Sequence, residues 1–134
     1  MIALRAIQKG RYEIMKDDKL GDLSMELSVE ILMLSKDLRA NRENIISNQI
    51  ARSTTSICAN IAESKYAHGR ANFIAKLEIS LKEASETGKW LEMLLKSGYI
   101  DETEYKKLNR KCATIRFLLI RSITTAKSNL KTQK

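Results

Sequence analysis

Between residues 73 and 95 the chain places Phe73, Leu77, Leu81, Ala84, Gly88, Leu91 and Leu95 at steps of four or three, without a break. Side chains so spaced lie on one stripe of an α-helix, whereas a strand alternates with a period of two. The sequence has no proline, so no residue in it is forbidden from a helix interior. A second stripe, Leu23, Leu27, Ile31, Leu34 and Leu38, predicts a first helix over 22–40. Ala40-Asn41-Arg42 interrupts it and supplies an asparagine suited to N-capping, after which Ile46, Ile50, Ile57 and Ile61 predict a second helix over 43–67. Gly69 separates that run from the third helix. Ser97-Gly98 ends the third as a glycine C-cap, and Asp101, Glu102 and Glu104 open a fourth with negative charge at its N-terminus. Leu108, Cys112, Ile115, Leu119, Ser122 and Ala126 carry the fourth to about residue 128.

Four amphipathic helices with short connections predict an all-α fold, an antiparallel up-down-up-down four-helix bundle over 22–130. Residues 1–21 mix apolar and charged side chains without a sustained period and read as an N-terminal arm or a frayed leader. Gly88 costs about 1 kcal/mol relative to Ala inside a helix, so a tight helix crossing is expected there.

At 134 residues the chain fits one domain large enough to need no metal or disulfide. Cys58 and Cys112 stand far apart in apolar patterns and read as free packing thiols of a reducing compartment. No apolar run approaches the ~20 residues of a membrane span, and the N-terminus lacks a signal-peptide cleavage pattern. A cytoplasmic protein with no membrane contact is expected. The chain holds one histidine, His68, beside Gly69 at a predicted turn. Paired Glu-x-x-His motifs, phosphate loops and dinucleotide fingerprints are all missing. These features argue against an enzyme and imply no metal or cofactor.

Two sets of polar residues remain as candidate sites. Arg52, Ser56, Asn60 and Glu63 follow at steps of 4, 4 and 3 and form a polar stripe beside the isoleucines of helix two, while Glu83, Glu86 and Trp90 lie together on helix three. One reading makes them an oligomer interface, in which Glu83 or Glu86 answers Arg52 of the same or an adjacent chain and Trp90 anchors the contact. The other has Trp90 cap one end of its own bundle beside solvated glutamates. An isologous pairing gives a dimer, a head-to-tail pairing a ring.

The second set follows from charge. The chain carries 24 Lys and Arg against 16 Asp and Glu, a net charge of +8. Residues 105–134 contain Lys106, Lys107, Arg110, Lys111, Arg116, Arg121, Lys127, Lys131 and Lys134 and no acid, so the whole positive excess belongs to helix four and its tail. Most of these fall opposite Leu108, Ile115, Leu119 and Ala126 and would face outward. Lys106, Lys107, Arg110, Lys111, Arg116, Arg121 and Lys127 are the candidate contacts to an RNA or DNA backbone, without sequence readout. A solvated charged face that complements the helix dipole is the simpler alternative, and an acidic protein surface a third.

The run Ser47-Asn48-Gln49-Ile50-Ala51-Arg52-Ser53-Thr54-Thr55-Ser56-Ile57-Cys58-Ala59-Asn60-Ile61-Ala62-Glu63, followed by Phe73-Ile74-Ala75-Lys76-Leu77-Glu78-Ile79-Ser80-Leu81-Lys82-Glu83-Ala84-Ser85-Glu86-Thr87-Gly88-Lys89-Trp90-Leu91-Glu92, resembles the four helix bundle proteins related to those encoded by intervening sequences in bacterial 23S ribosomal RNA genes. The resemblance covers about residues 20–128. It departs at Cys58, where relatives often have Pro or Gly, and at Gly88, where the pattern is variable. It implies an up-down bundle assembled as a homopentamer. Related accessory variability proteins of diversity-generating retroelements form basic pentamers that engage nucleic acid and a reverse transcriptase. The resemblance therefore implies either a non-catalytic oligomer that binds nucleic acid or an adaptor that docks a partner enzyme such as a reverse transcriptase.

Overall fold

A computed structural model of the chain describes residues 18–132, with side chains to residue 129. It contains four helices, α1 (Lys19–Ala40), α2 (Ile45–Ser64), α3 (Gly69–Lys96) and α4 (Glu102–Thr132), and no strand among the described residues. The fold is all-α, as the apolar periods require. The expected arm over residues 1–21 divides: 1–17 lie outside the described residues, while Asp18 and the next three residues cap and open α1. Asp18 accepts a hydrogen bond from the Gly21 amide at 2.9 Å, and its carboxylate also pairs with Lys65 just past α2, tying two helix ends together. An Asp N-cap that satisfies a first-turn amide explains why α1 begins at Lys19 rather than at 22.

Asn41 does not cap α2. Its side chain donates to the Asp37 carbonyl at 3.1 Å and so belongs to the end of α1. The turn is a Schellman motif: the Arg42 amide bonds to the Arg39 carbonyl at 3.0 Å and the Glu43 amide to the Leu38 carbonyl at 2.8 Å. Arg42 takes the left-handed conformation, φ 64°, that glycine usually supplies. The cap on α2 is instead the buried Glu43 carboxylate, which accepts from the amides of Ile45, Ile46 and Ser47 at 3.1, 3.0 and 2.8 Å. The N-cap position itself, Asn44, makes no side-chain cap bond. The end of α3 follows expectation. Gly98 has φ 82°, and the Tyr99 amide reaches the Leu94 carbonyl at 2.9 Å.

Each helix packs against its sequence neighbour, and α1 meets α4 along a shorter seam. Cross-helix partners run in opposite numerical order. Ser28 bonds to the Thr54 carbonyl and Ser35 to that of Ser47, while Arg52 reaches Glu86, Ser80 the Ile57 carbonyl, and Lys76 reaches Glu63. The core joins Leu27, Ile31, Ile50, Ile57, Leu91, Leu94, Leu108, Ile115 and Leu119.

In α3 the buried line differs from the apolar ladder. Ile74, Leu77, Ser80, Ala84, Thr87, Leu91 and Leu94 are buried, while Phe73, Leu81 and Leu95 lie at the edge, packed on the core's border. Small hydroxyl side chains stand at the centre because α2 supplies matching ones: the Ser53 and Thr87 hydroxyls are 2.8 Å apart, and Ser80 donates to the Ile57 carbonyl at 3.0 Å. Short side chains that satisfy each other let helices approach without leaving polar atoms unpaired. Gly88, by contrast, marks no tight crossing. A Cβ placed there would meet the Arg116 guanidinium at 3.5 Å, an ordinary contact, and no backbone.

Candidate functional site

The polar residues of α2 and α3 form one cluster within a single chain. Arg52 bridges to Glu83 at 3.3 Å and to Glu86 at 2.6 Å, and the Trp90 indole N–H donates to the same Glu86 oxygen at 3.3 Å. The hydrogen bonds that Arg52 donates to Glu86 and then to Glu83 raise its pKa further, so its charge is permanent. The Trp90 ring packs partly buried on its own core. Asn60 donates to the Ser56 carbonyl at 2.9 Å and lies 3.2 Å from the Ser56 hydroxyl, so that pair satisfies itself on α2 instead of reaching α3. Glu63 pairs with Lys76 at 2.8 Å. Arg52 nonetheless keeps 51% of its side chain in solvent, so the cluster remains an accessible face.

The basic residues of α4 divide by direction. Lys107 bridges to Glu30 of α1 at 3.4 Å, and Lys111 pairs with both Glu30 and Glu26. Lys127 reaches Glu78 of α3 at 3.4 Å, and Lys106 pairs with its own helix's Glu102 at 3.7 Å. Arg110, Arg116 and Arg121 make no ion pair among the described residues. Arg116 lies half-buried beside Gly88, and Arg110 and Arg121 are exposed. Lys106, Lys107, Arg110, Arg121 and Lys127 are exposed and Lys111 and Arg116 half-buried, so the basic residues mostly face outward as expected, but four of them are paired with carboxylates. Sequence reasoning missed the acidic partners on α1 and α3. A signal was present, because Glu26 and Glu30 repeat at the same four-residue step as Lys107 and Lys111, the register an antiparallel neighbour needs.

Glu30 shows the balance of effects at this seam. Partial burial alone would raise its pKa, but the hydrogen bond and charge of Lys111, then of Lys107, outweigh burial and hold it below the ordinary carboxylate value. Lys111 is correspondingly raised, first by its hydrogen bond to Glu30. A carboxylate depressed in the folded state adds stability above its unfolded pKa and loses it as pH falls through the folded one. Glu30→Gln is thus expected to lower the urea midpoint at about pH 7 and to cost less at acid pH, once protonation of the wild-type carboxylate has removed the same charge. An equal loss at both pH values would show that the pair contributes packing rather than charge.

Among the described residues no group of three or more His, Cys, Asp or Glu is placed to hold a metal ion. Burial pushes the Cys112 thiol up to about 11, against a small opposing effect of Arg116, so it is a protonated packing group that donates to the Ala84 carbonyl at 3.2 Å. Both cysteines are free thiols, as expected, and His68 is an exposed residue at the start of α3. No described helix is long and apolar enough to cross a membrane. The described residues thus form an all-α fold of four helices. The chain belongs to the 23S rRNA-intervening sequence protein family, whose model matches residues 16–121. Among solved structures it is similar to a protein of unknown function from the S23 ribosomal protein family of Bacteroides thetaiotaomicron VPI-5482. The two are 46% identical, over 78% of this chain and 97% of that one, with a TM-score of 0.76. None of the curated proteins matches.

Proposed function

We propose that this chain is the non-catalytic subunit of a cytoplasmic homo-oligomer that binds the backbone of nucleic acid through α4. The observation that carries the reading is the charge of that helix: no acid occurs after Glu104, and Arg110, Arg116 and Arg121 have no ion pair among the described residues, while carboxylates of other helices neutralise Lys107, Lys111 and Lys127. We read the fold as an up-down-up-down antiparallel bundle, which the opposite order of cross-helix partners supports. Assembly as a pentamer follows from the family resemblance. A head-to-tail ring needs two unlike faces that complement each other, and two are on offer. One is the α2–α3 face bearing Arg52, Ser56, Asn60, Glu63, Glu83, Glu86 and Trp90. The other is the outer stripe of α1, where Met25, Val29 and Met33 are 57, 54 and 64% exposed. A subunit copied around a ring repeats its α4 charge and steepens the salt dependence of binding.

Two measurements test the reading. Binding of mixed-sequence RNA and DNA, followed by fluorescence anisotropy over a salt series, is expected to weaken steeply as salt rises, and Arg110→Glu with Arg121→Glu to cost about ten-fold or more in affinity. No binding at low salt would remove the nucleic-acid reading and favour an adaptor whose basic face meets an acidic protein. Light scattering is expected to give a multiple of 15.3 kDa, and Met33→Glu to reduce that mass. A monomeric wild type at micromolar concentration would end the oligomer proposal.

A further inference from the structure

We infer that the outermost line of α4 seats unpaired nucleotides, with Phe117 stacking on a base and Arg110 and Arg121 meeting the phosphates on either side. This rests on the nucleic-acid reading above and narrows it to single strands. Residues 110, 114, 117, 121 and 124 step by three and four along the face opposite Leu108, Ile115 and Leu119, so they form the line farthest from the core. Phe117 is 59% exposed on that line, and Ile120 beside it is 52% exposed. A single exposed apolar residue is ordinary. This one stands between Arg110 and Arg121, two exposed arginines with no carboxylate partner among the described residues, in a stretch without acids.

The Arg121 guanidinium lies over the Phe117 ring, 5.9 Å from its centroid. That contact puts a positive charge next to an exposed aromatic ring. Beyond Arg121 the line enters a cleft of about 480 Å³ between the start of α3 and the last turns of α4, lined by Arg70, Phe73, Leu118, Arg121, Ser122 and Asn129 among others, none of them acidic. Arg70 makes no ion pair among the described residues either. A basic track with an aromatic side chain set into it is what sequence-tolerant single-strand binding uses: phosphates follow the cations and a base stacks on the ring. Paired bases keep their faces inside the helix and cannot reach Phe117, so a duplex would meet the arginines alone.

The test compares a mixed-sequence single strand of about 20 nucleotides, long enough to cover such a track, with the same sequence as a duplex, at low and near-physiological salt. The single strand is expected to bind about ten-fold tighter than the duplex. Phe117→Leu should bring it down to the duplex level without lowering the melting temperature. A 2-aminopurine placed in the strand should change its emission on binding wild type and not on binding the variant. Equal affinity for both forms, unaffected by Phe117→Leu, would overturn the stacking seat and leave backbone binding standing. Absence of binding to either form at low salt would remove the nucleic-acid reading and this seat together. A Phe117→Leu protein of altered mass in light scattering would put Phe117 between copies of the chain and overturn the seat.

Discussion

Leu91→Ala is expected to cost about 3 kcal/mol of unfolding free energy and roughly ten degrees of melting temperature at a fixed protein concentration. Leu91 is 0% exposed and surrounded by core side chains, so truncation loses both its burial and the contacts of atoms that cannot close the void. Leu95, one turn later in the same apolar ladder, is only partly buried at the border of the core. Leu95→Ala should therefore cost about 1 kcal/mol, since part of its surface is already in water. Urea denaturation of the two variants decides the matter. Equal losses would mean that the ladder, not the line through Leu91 and Leu94, faces the core.

Glu43→Ala should cost about 2 kcal/mol, more than a usual cap substitution, because three amides of the first turn of α2 lose their acceptor at once. The Ser47 amide lies in the interior and has no ready access to water in exchange. Glu43→Gln keeps one acceptor oxygen and should lose about half as much, through the weaker neutral hydrogen bond and the lost charge at the helix N-terminus. Asn44→Ala should change stability by no more than a few tenths of a kcal/mol, as Asn44 is exposed and caps nothing. Hydrogen exchange at Ile45, Ile46 and Ser47 gives a second readout, faster in Glu43→Ala and unchanged in Asn44→Ala. A larger loss from Asn44→Ala than from Glu43→Ala would sink the assignment of the cap.

Both predictions turn on places where local signals and packing disagree. An asparagine between two helical patterns is the ordinary sign of an N-cap, yet Asn41 closes the helix before it and Glu43 opens the one after it. The signal that misled was the absence of glycine: Arg42 takes the left-handed turn position, so the end of α1 carries no residue that announces it. Gly98 does announce the end of α3, and that boundary was legible. Gly88 was legible only as a cost. What meets it is the flexible end of Arg116, which sequence spacing does not identify. Arg52 shows the intermediate case: its partners, Glu83 and Glu86, could be named from their stripes, but whether they sit in the same chain could not.

The four helices, the acid-free stretch after Glu104 and the family motif were all determined by the sequence alone, because a 3.6-residue period and a composition are local properties that any reader of the chain can count. Which members of a stripe are buried, and which cations keep their charge for a partner, only the tertiary structure decided. Burial and ion pairing depend on what the neighbouring helix presents, as Glu30 does for Lys111 from 81 positions away. That is why Arg110 and Arg121 stand out from the seven candidate cations only once α1 and α3 are in place.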